Sequence, residues 1–192
     1  MTPQHGTTRA GVNSMTLRWP PDRTSQTIGE TIQIMPQKSP GKSAPFVPAN
    51  PDFVRVVQES FSRQALMQTL GVSIAHLAPG EVHLSLPYSP QFAQQNGYLH
   101  AGVVASIADS ANGYAAYSLA AADTDVLAVE FKINLMAPAK APTFLACGRV
   151  LRPGRTLTVC LAEVFAMDGG DRVPVAIMLS TIIIRPIRAG ES

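Results

Sequence analysis

From His100 to Ala122 the chain is rich in alanine, and Asp109 is its only charged residue. Alanine favours helix more than any other residue, so the stretch predicts a long central helix. A helix built from Ala, Gly and Ser is thin. It can be buried only by lying close against something broad, and the rest of the chain supplies a sheet. Alternating or apolar runs at Val72–Leu77, Glu81–Tyr88, Val126–Leu135, Thr143–Leu151, Thr156–Met167 and Val173–Pro186 read as strands. Turn residues separate them at Pro79-Gly80, Ala137-Pro138, Arg152-Pro153-Gly154-Arg155 and Asp168-Gly169-Gly170-Asp171. Strands joined by such short turns run antiparallel. The expectation is an α+β fold in which a long central helix is wrapped by a curled antiparallel sheet of five to six strands. The chain must cross the helix between the second and third strands.

Ahead of this, Pro51–Leu70 places Phe53, Val56, Val57, Phe61, Leu66 and Leu70 near helical spacing, with Asn50 as N-cap and Gly71 as terminator. This predicts one further helix. Residues 1–46 are rich in Thr, Pro, Gln, Ser and Gly and show no sustained periodicity. They are expected to form a disordered or mobile N-terminal tail, with a short extended piece at Thr27–Ile34. The folded domain is assigned to residues 47–192.

Composition narrows function by exclusion. A net charge of +2 gives no footprint for nucleic acid or an anionic membrane. No segment reaches the roughly 18 apolar residues needed to span a bilayer, and the first 30 residues lack the apolar stretch of a secretory signal. A cytoplasmic location is expected. The four histidines are scattered and there is no CxxC, so no metal site is expected. With Pro153-Gly154 at the centre of a hairpin, Cys147 and Cys160 would lie opposite each other, and they are expected to stay reduced. Charged residues make up only 15% of the chain, against about 25% in an average soluble domain. A surface so short of charge is expected to hide part of itself in a subunit contact.

One segment is chemically loaded: Gln94-Gln95-Asn96-Gly97-Tyr98-Leu99-His100-Ala101-Gly102, followed by Asp109. Asp is a poor helix former because its side chain competes with the backbone for hydrogen bonds. A mid-helix Asp in so apolar a setting is costly unless it has a partner or a use. Gly102, Ser106, Asp109, Asn112, Gly113 and Ala116 share one stripe. Such a stripe is also what a solvated polar face would show, but its small residues equally suit close approach by a ligand. His100 stands at the helix start, where free N–H groups and the helix dipole can hold a developing oxyanion. It could equally be a capping residue. His100 and Asp109 are nine residues apart, or about 13–14 Å along one helix. They cannot act on one carbonyl within a single chain, whereas two copies of the helix related by a two-fold axis could bring them together.

His-x-Gly followed by Ile-Ala-Asp, then Val129-Glu130-Phe131-Lys132-Ile133-Asn134-Leu135-Met136-Ala137-Pro138-Ala139, then Gly154-Arg155-Thr156-Leu157, resembles the PaaI-like acyl-CoA thioesterases of the hotdog superfamily. The match runs from about Asp52 to Arg185, and its specificity lies in the combination of spacings. The resemblance implies a hotdog fold and hydrolysis of an acyl-CoA to free acid and CoA. It implies a homodimer with shared active sites, doubled into a dimer of dimers, and no cofactor, CoA being part of the substrate. It puts the catalytic carboxylate, as base or nucleophile, on Asp109 and the oxyanion site on His100 and the Ala101 N–H. The family's Asn six residues before the His meets Gln94 here, with Gln95 and Asn96 nearby, so any of these amides could orient the thioester beside Gly102. The Ser or Thr that many relatives use to position water corresponds to Ala128, which has no hydroxyl. Lys132, Arg152 and Arg155 are candidate CoA-phosphate contacts, though each also reads as an ordinary solvated cation.

Two other functions are weighed. A non-catalytic acyl-CoA-binding module would need neither Asp109 nor His100. A hydratase or dehydratase would need a different Asp/His pairing. No Gly-x-Ser-x-Gly elbow is present for an α/β-hydrolase. Phe61, Met67, Tyr114 and Tyr117 are candidate linings of an acyl pocket.

Overall fold

The computed structural model describes residues 46–187. The expected tail, with its Thr27–Ile34 piece, lies outside the described residues except for Phe46. In chain order the elements are α1 (Phe53–Ser62), α2 (Ala65–Leu70), β1 (Ser73–Ala78), β2 (Glu81–Pro87), a 3-10 turn (Pro90–Phe92), α3 (Ala101–Tyr117), β3 (Thr124–Leu135), β4 (Thr143–Arg152), β5 (Leu157–Asp168) and β6 (Asp171–Pro186). The six strands form one antiparallel sheet in the order β1-β2-β4-β5-β6-β3. The expected crossover is present: α3 carries the chain from β2 to the far edge, where β3 pairs with β6. Among the described residues, no helix is long and apolar enough to cross a membrane.

Alternation on the strands selects the face that meets α3. Val82, Leu84 and Leu86 on β2, Phe144 and Ala146 on β4, Cys160, Ala162 and Val164 on β5, and Met178 and Ile182 on β6 are all buried. They meet Val104, Ile107, Ala108, Ala111, Ala115 and Ala116 of α3. At the centre the helix and sheet backbones nearly touch. A Cβ on Gly148 would lie 2.4 Å from the backbone C and O of Ala111, so only glycine fits there.

The central helix ends at Tyr117, five residues short of the predicted Ala122. Its terminus is fixed by a tertiary contact rather than by propensity. The Ser118 hydroxyl donates to the Ala115 carbonyl at 2.7 Å and accepts from the Gly80 N–H at 2.7 Å. Gly80 sits in the predicted β1–β2 turn with φ +77°, and its carbonyl accepts from the Val150 N–H at 2.8 Å.

The predicted single helix at Pro51–Leu70 is two helices, with Gln64 extended between them (φ −79°, ψ 92°). The reason is rotational phase. Met67 and Leu70 are both buried. At about 100° per residue, an unbroken helix would carry them some 80° and 140° away from the face of buried Val57. The break resets that phase, and it leaves Leu66, predicted as core, 52% exposed. The N-cap of the first helix is Asp52 rather than the expected Asn50; Asn50 lies two residues earlier, its Oδ1 accepting from the Asp52 N–H at 2.9 Å. Gly71 ends the second with φ +72°.

The predicted opposition of the two cysteines is wrong. Cys147 pairs with Glu163, and Cys160 with Val150. The β4–β5 connection is the four-residue loop 153–156, preceded by an irregularity between Val150 and Arg152. The hairpin centre therefore shifts by an odd number of half-steps, which sends the two side chains to opposite faces of the sheet. Both thiols are free. Burial pushes the Cys160 thiol up to about 12.

The contact at Gly148 gives a test of the packing. Gly148→Ala should destabilise the domain by about 1–3 kcal/mol through overpacking, read as a lower urea midpoint at unchanged slope. An unaltered midpoint would mean that the helix can lift off the sheet at little cost.

Candidate active site

α3 divides the candidate residues between two places. At its N-terminus His100 is the N-cap: its Nδ1 accepts from the Gly102 N–H at 2.9 Å, and its carbonyl accepts from the N–H groups of Val103 and Val104. A neutral imidazole accepting at Nδ1 carries its proton on Nε2. The exposed edge of the ring is thus a hydrogen-bond donor. Gly102 accommodates this cap, because a Cβ there would lie 3.1 Å from His100 Nδ1. The cap consumes the Gly102 N–H, whereas the Ala101 N–H has no acceptor among the described residues. The capping and oxyanion readings of His100 are therefore compatible.

Gln94 is tied into the turn that leads to this helix. Its backbone N–H donates to the Tyr98 carbonyl at 2.8 Å, its carbonyl accepts from the Gly97 N–H at 2.9 Å, and its Oε1 accepts from the Asn96 N–H. Its Oε1 is thus committed to the turn. Gln94 and Ala101 line the same cavity of about 290 Å³, together with Leu99, Leu135, Pro138 and Val175. Gln95 and Asn96 are exposed and do not reach it. The geometry singles out Gln94 among the three amides.

Asp109 lies halfway along α3 on the wall of a second cavity, of about 250 Å³, between α1, α3 and β3. Its Oδ1 is buried with no hydrogen-bond partner, and burial raises the carboxyl above its ordinary range. The stripe that could have been a solvated face is nothing of the kind beyond Asp109. Asn112 and Ala116 are wholly buried, and Asn112 donates through Nδ2 to Ser180 Oγ at 2.8 Å. Tyr114, Tyr117 and Ala128 line the cavity as the sequence suggested. Phe61 does not reach it and instead stacks edge-on against Tyr114 at 5.5 Å, while Met67 is core.

The sequence reading missed Ser60, Gln64, Ser110 and Asp125, all of which line this cavity. Gln64 Nε2 and Ser110 Oγ are 3.3 Å apart, and Ser60 Oγ and Tyr114 OH are 3.4 Å apart. Asp125 pairs with Arg185 at 3.5 Å. The polar run Ser62-Arg63-Gln64 between apolar residues was the signal that the helix breaks there.

The three cations fall apart. Arg152 ends β4, and Arg155 lies in the following loop, both exposed. Leu157 pairs with Ile183, which pairs with Leu127, so this loop stands at the same end of the sheet as the Asp109 cavity. Lys132 pairs with Leu179, five residues further along β3, and its Nζ donates to Asn134 Oδ1 at 2.7 Å.

Comparison with known proteins bears on this arrangement. The Thioesterase superfamily model matches residues 96–173, the span that holds both His100 and Asp109. A thioesterase family protein from Silicibacter pomeroyi, known from its crystal structure, is 43% identical. It superposes with a TM-score of 0.69, covering 70% of this chain and 99% of its own. A Saccharolobus solfataricus protein provisionally named an esterase is 31% identical over 119 residues, 62% of this chain and 84% of its own. The PaaI protein of the phenylacetic acid degradation operon of E. coli shares the fold at 20% identity, with a TM-score of 0.64.

The state of Asp109 has a consequence for stability. A carboxyl raised in the folded state favours folding when protonated; this contribution is present at low pH and is lost as pH rises through the folded-state value. Asp109→Asn should therefore raise the melting temperature at pH 7, with the gain shrinking as pH falls into the ordinary carboxylate range near 4. Thermal melts of both proteins from pH 3.5 to 8 check this. A variant less stable at neutral pH would show that the carboxylate has a partner in the native assembly.

Proposed function

The chain belongs to the thioesterase superfamily and has the hotdog fold, and on that premise we propose that it hydrolyses an acyl-CoA to the free carboxylic acid and CoA. The observation that carries the reading is the unpartnered, buried Oδ1 of Asp109 on a cavity wall. Desolvation raises its basicity, which suits a general base. Asp109 takes a proton from water as the water oxygen bonds to the thioester carbon, and it returns that proton to the sulfur as the C–S bond breaks, leaving the free acid, CoA thiol and the carboxylate regenerated. Negative charge passing onto the carbonyl oxygen meets the Ala101 N–H and the His100 edge, with the Gln94 amide orienting the thioester. A thioester is activated enough to need no cofactor or metal. Arg152 and Arg155 meet the CoA phosphates.

Two copies are required. Asp109 and Ala101, the neighbour of His100, stand at different cavities of one chain, and an antiparallel second α3 supplies the missing half of each site. β3 offers the surface. It is a twelve-residue edge strand with Leu127, Val129, Phe131 and Leu135 about half exposed. A long apolar edge of this kind is an open template for pairing with another strand. Two-fold pairing of β3 with its copy would cover it and continue the sheet across the dimer. Doubling of that dimer gives the proposed tetramer. The location is proposed to be cytoplasmic.

Release of CoA thiol from short, medium, long and aryl acyl-CoAs tests the proposal. Asp109→Asn should lower turnover by at least about 10²-fold, and His100→Ala by less, since much of the oxyanion stabilisation comes from backbone. Equal turnover in wild type and Asp109→Asn would remove Asp109 from the mechanism. Acyl-CoA binding without release would make the chain a ligand-binding module.

Assembly has its own test. Val129→Lys with Phe131→Lys should at least halve the mass seen by light scattering, to a dimer or a monomer, and abolish turnover at the same time. A fully active monomer would show that one chain holds a complete site.

A further inference from the structure

The cavity beside Asp109 is small, and its far wall is polar. A cavity of about 150 Å³ is large enough to bind benzene. The 250 Å³ beside Asp109 therefore takes an acyl group of roughly ten heavy atoms or fewer, and no long alkyl chain. A pocket for a plain hydrocarbon would be walled by Leu, Ile and Phe. Here α1 and the link after it carry the Ser60 hydroxyl and the Gln64 amide, and the Tyr114 hydroxyl of α3 lies against them. Their mutual bonds are long: 3.3–3.4 Å between Gln64 and Ser110, and 3.4 Å between Ser60 and Tyr114. Gln64 has one carbonyl and two N–H groups to satisfy, and Ser110 can serve only part of that capacity.

Gln64 is held there by its backbone. Its N–H donates to the Phe61 carbonyl at 3.0 Å, and its own carbonyl accepts from the Gln68 N–H at 3.2 Å. It is thus the pinned link between α1 and α2, and the break that resets helix phase also points this amide at the pocket.

Resting on the thioesterase reading above, we infer that this pocket selects a compact acyl group bearing a hydrogen-bonding substituent, such as a hydroxyl or keto oxygen, and that Gln64 is a specificity-determining residue, with the Ser60–Tyr114 pair beside it. An unsubstituted acyl group would leave these polar groups facing hydrocarbon, with nothing beyond their own long mutual bonds.

Matched substrates test this: butyryl-CoA against 3-hydroxybutyryl-CoA, hexanoyl-CoA against 6-hydroxyhexanoyl-CoA, and palmitoyl-CoA for length. In the wild type at least one hydroxylated member should exceed its plain partner in kcat/KM by about tenfold, with palmitoyl-CoA poorest. Gln64→Leu should bring that pair within about threefold of each other, chiefly by raising turnover of the plain acyl group. Ser60→Ala, at the other end of the wall, should weaken the preference in the same direction and serves if Gln64→Leu does not fold. Hydrolysis without preference, a preference for the plain members, or a preference unchanged in both variants overturns the pocket assignment and leaves the thioesterase standing. No CoA release from any substrate overturns the thioesterase reading, and the pocket assignment falls with it.

Discussion

The contact between Ala111 and Gly148 is the constraint on which the rest of the structure depends. Because β4 has no side chain at that point, α3 settles onto the sheet at backbone distance. This makes an almost uncharged helix useful: Ala108, Ala111, Ala115 and Ala116 are fully buried without needing volume. A larger helix would stand further off. The buried Asn112–Ser180 bond then holds its rotation, since turning the helix would take from the Asn112 Nδ2 the partner it has in that layer. With height and rotation both fixed, Asp109 has one direction to face, the gap between α3, α1 and β3.

The same geometry explains why the helix carries two contrasting environments at separate places. Its N-terminus offers free backbone donors and a capping histidine, a setting made for negative charge. Its middle offers a desolvated carboxylate, a setting that resists negative charge until a proton arrives. Placed side by side these would neutralise each other, since a carboxylate near helix-start donors is held low in pKa and loses basicity. Nine residues of helix keep the environments apart in one chain, and the proposed two-fold axis would let them meet across a substrate.

The parts of this that were legible in sequence are those set by local periodicity. Strand alternation such as Val82-Leu84-Leu86 gave each strand to within two residues, and Asp109 stood out because it was the one charge in an apolar helix. What was lost was set by tertiary contact. Nothing local shows that Ser118 would meet Gly80 and end α3 early, nor that an irregularity at Val150–Arg152 would put Cys147 and Cys160 on opposite faces. The break at Gln64 lies between these cases. The phase mismatch between Val57 and the Met67–Leu70 pair is present in the sequence, but a single helix over Pro51–Leu70 leaves it unresolved, since Leu66 lies about 180° from Val57 as well.

That misreading touched the site itself. A continuous first helix would offer the Asp109 cavity a wall whose composition follows from one apolar face, and an aryl or alkyl pocket would follow. Breaking the helix turns the apolar residues of α2 into the core and presents the polar link in their place. Asp109 stands out in the sequence because it is an unusual residue in an unusual setting. Ser60 and Gln64 do not, because they read as ordinary surface residues until the chain turns at Arg63. On the proposed reading the carboxylate acts at the bond that is broken, and the helix junction selects the acyl group brought to it.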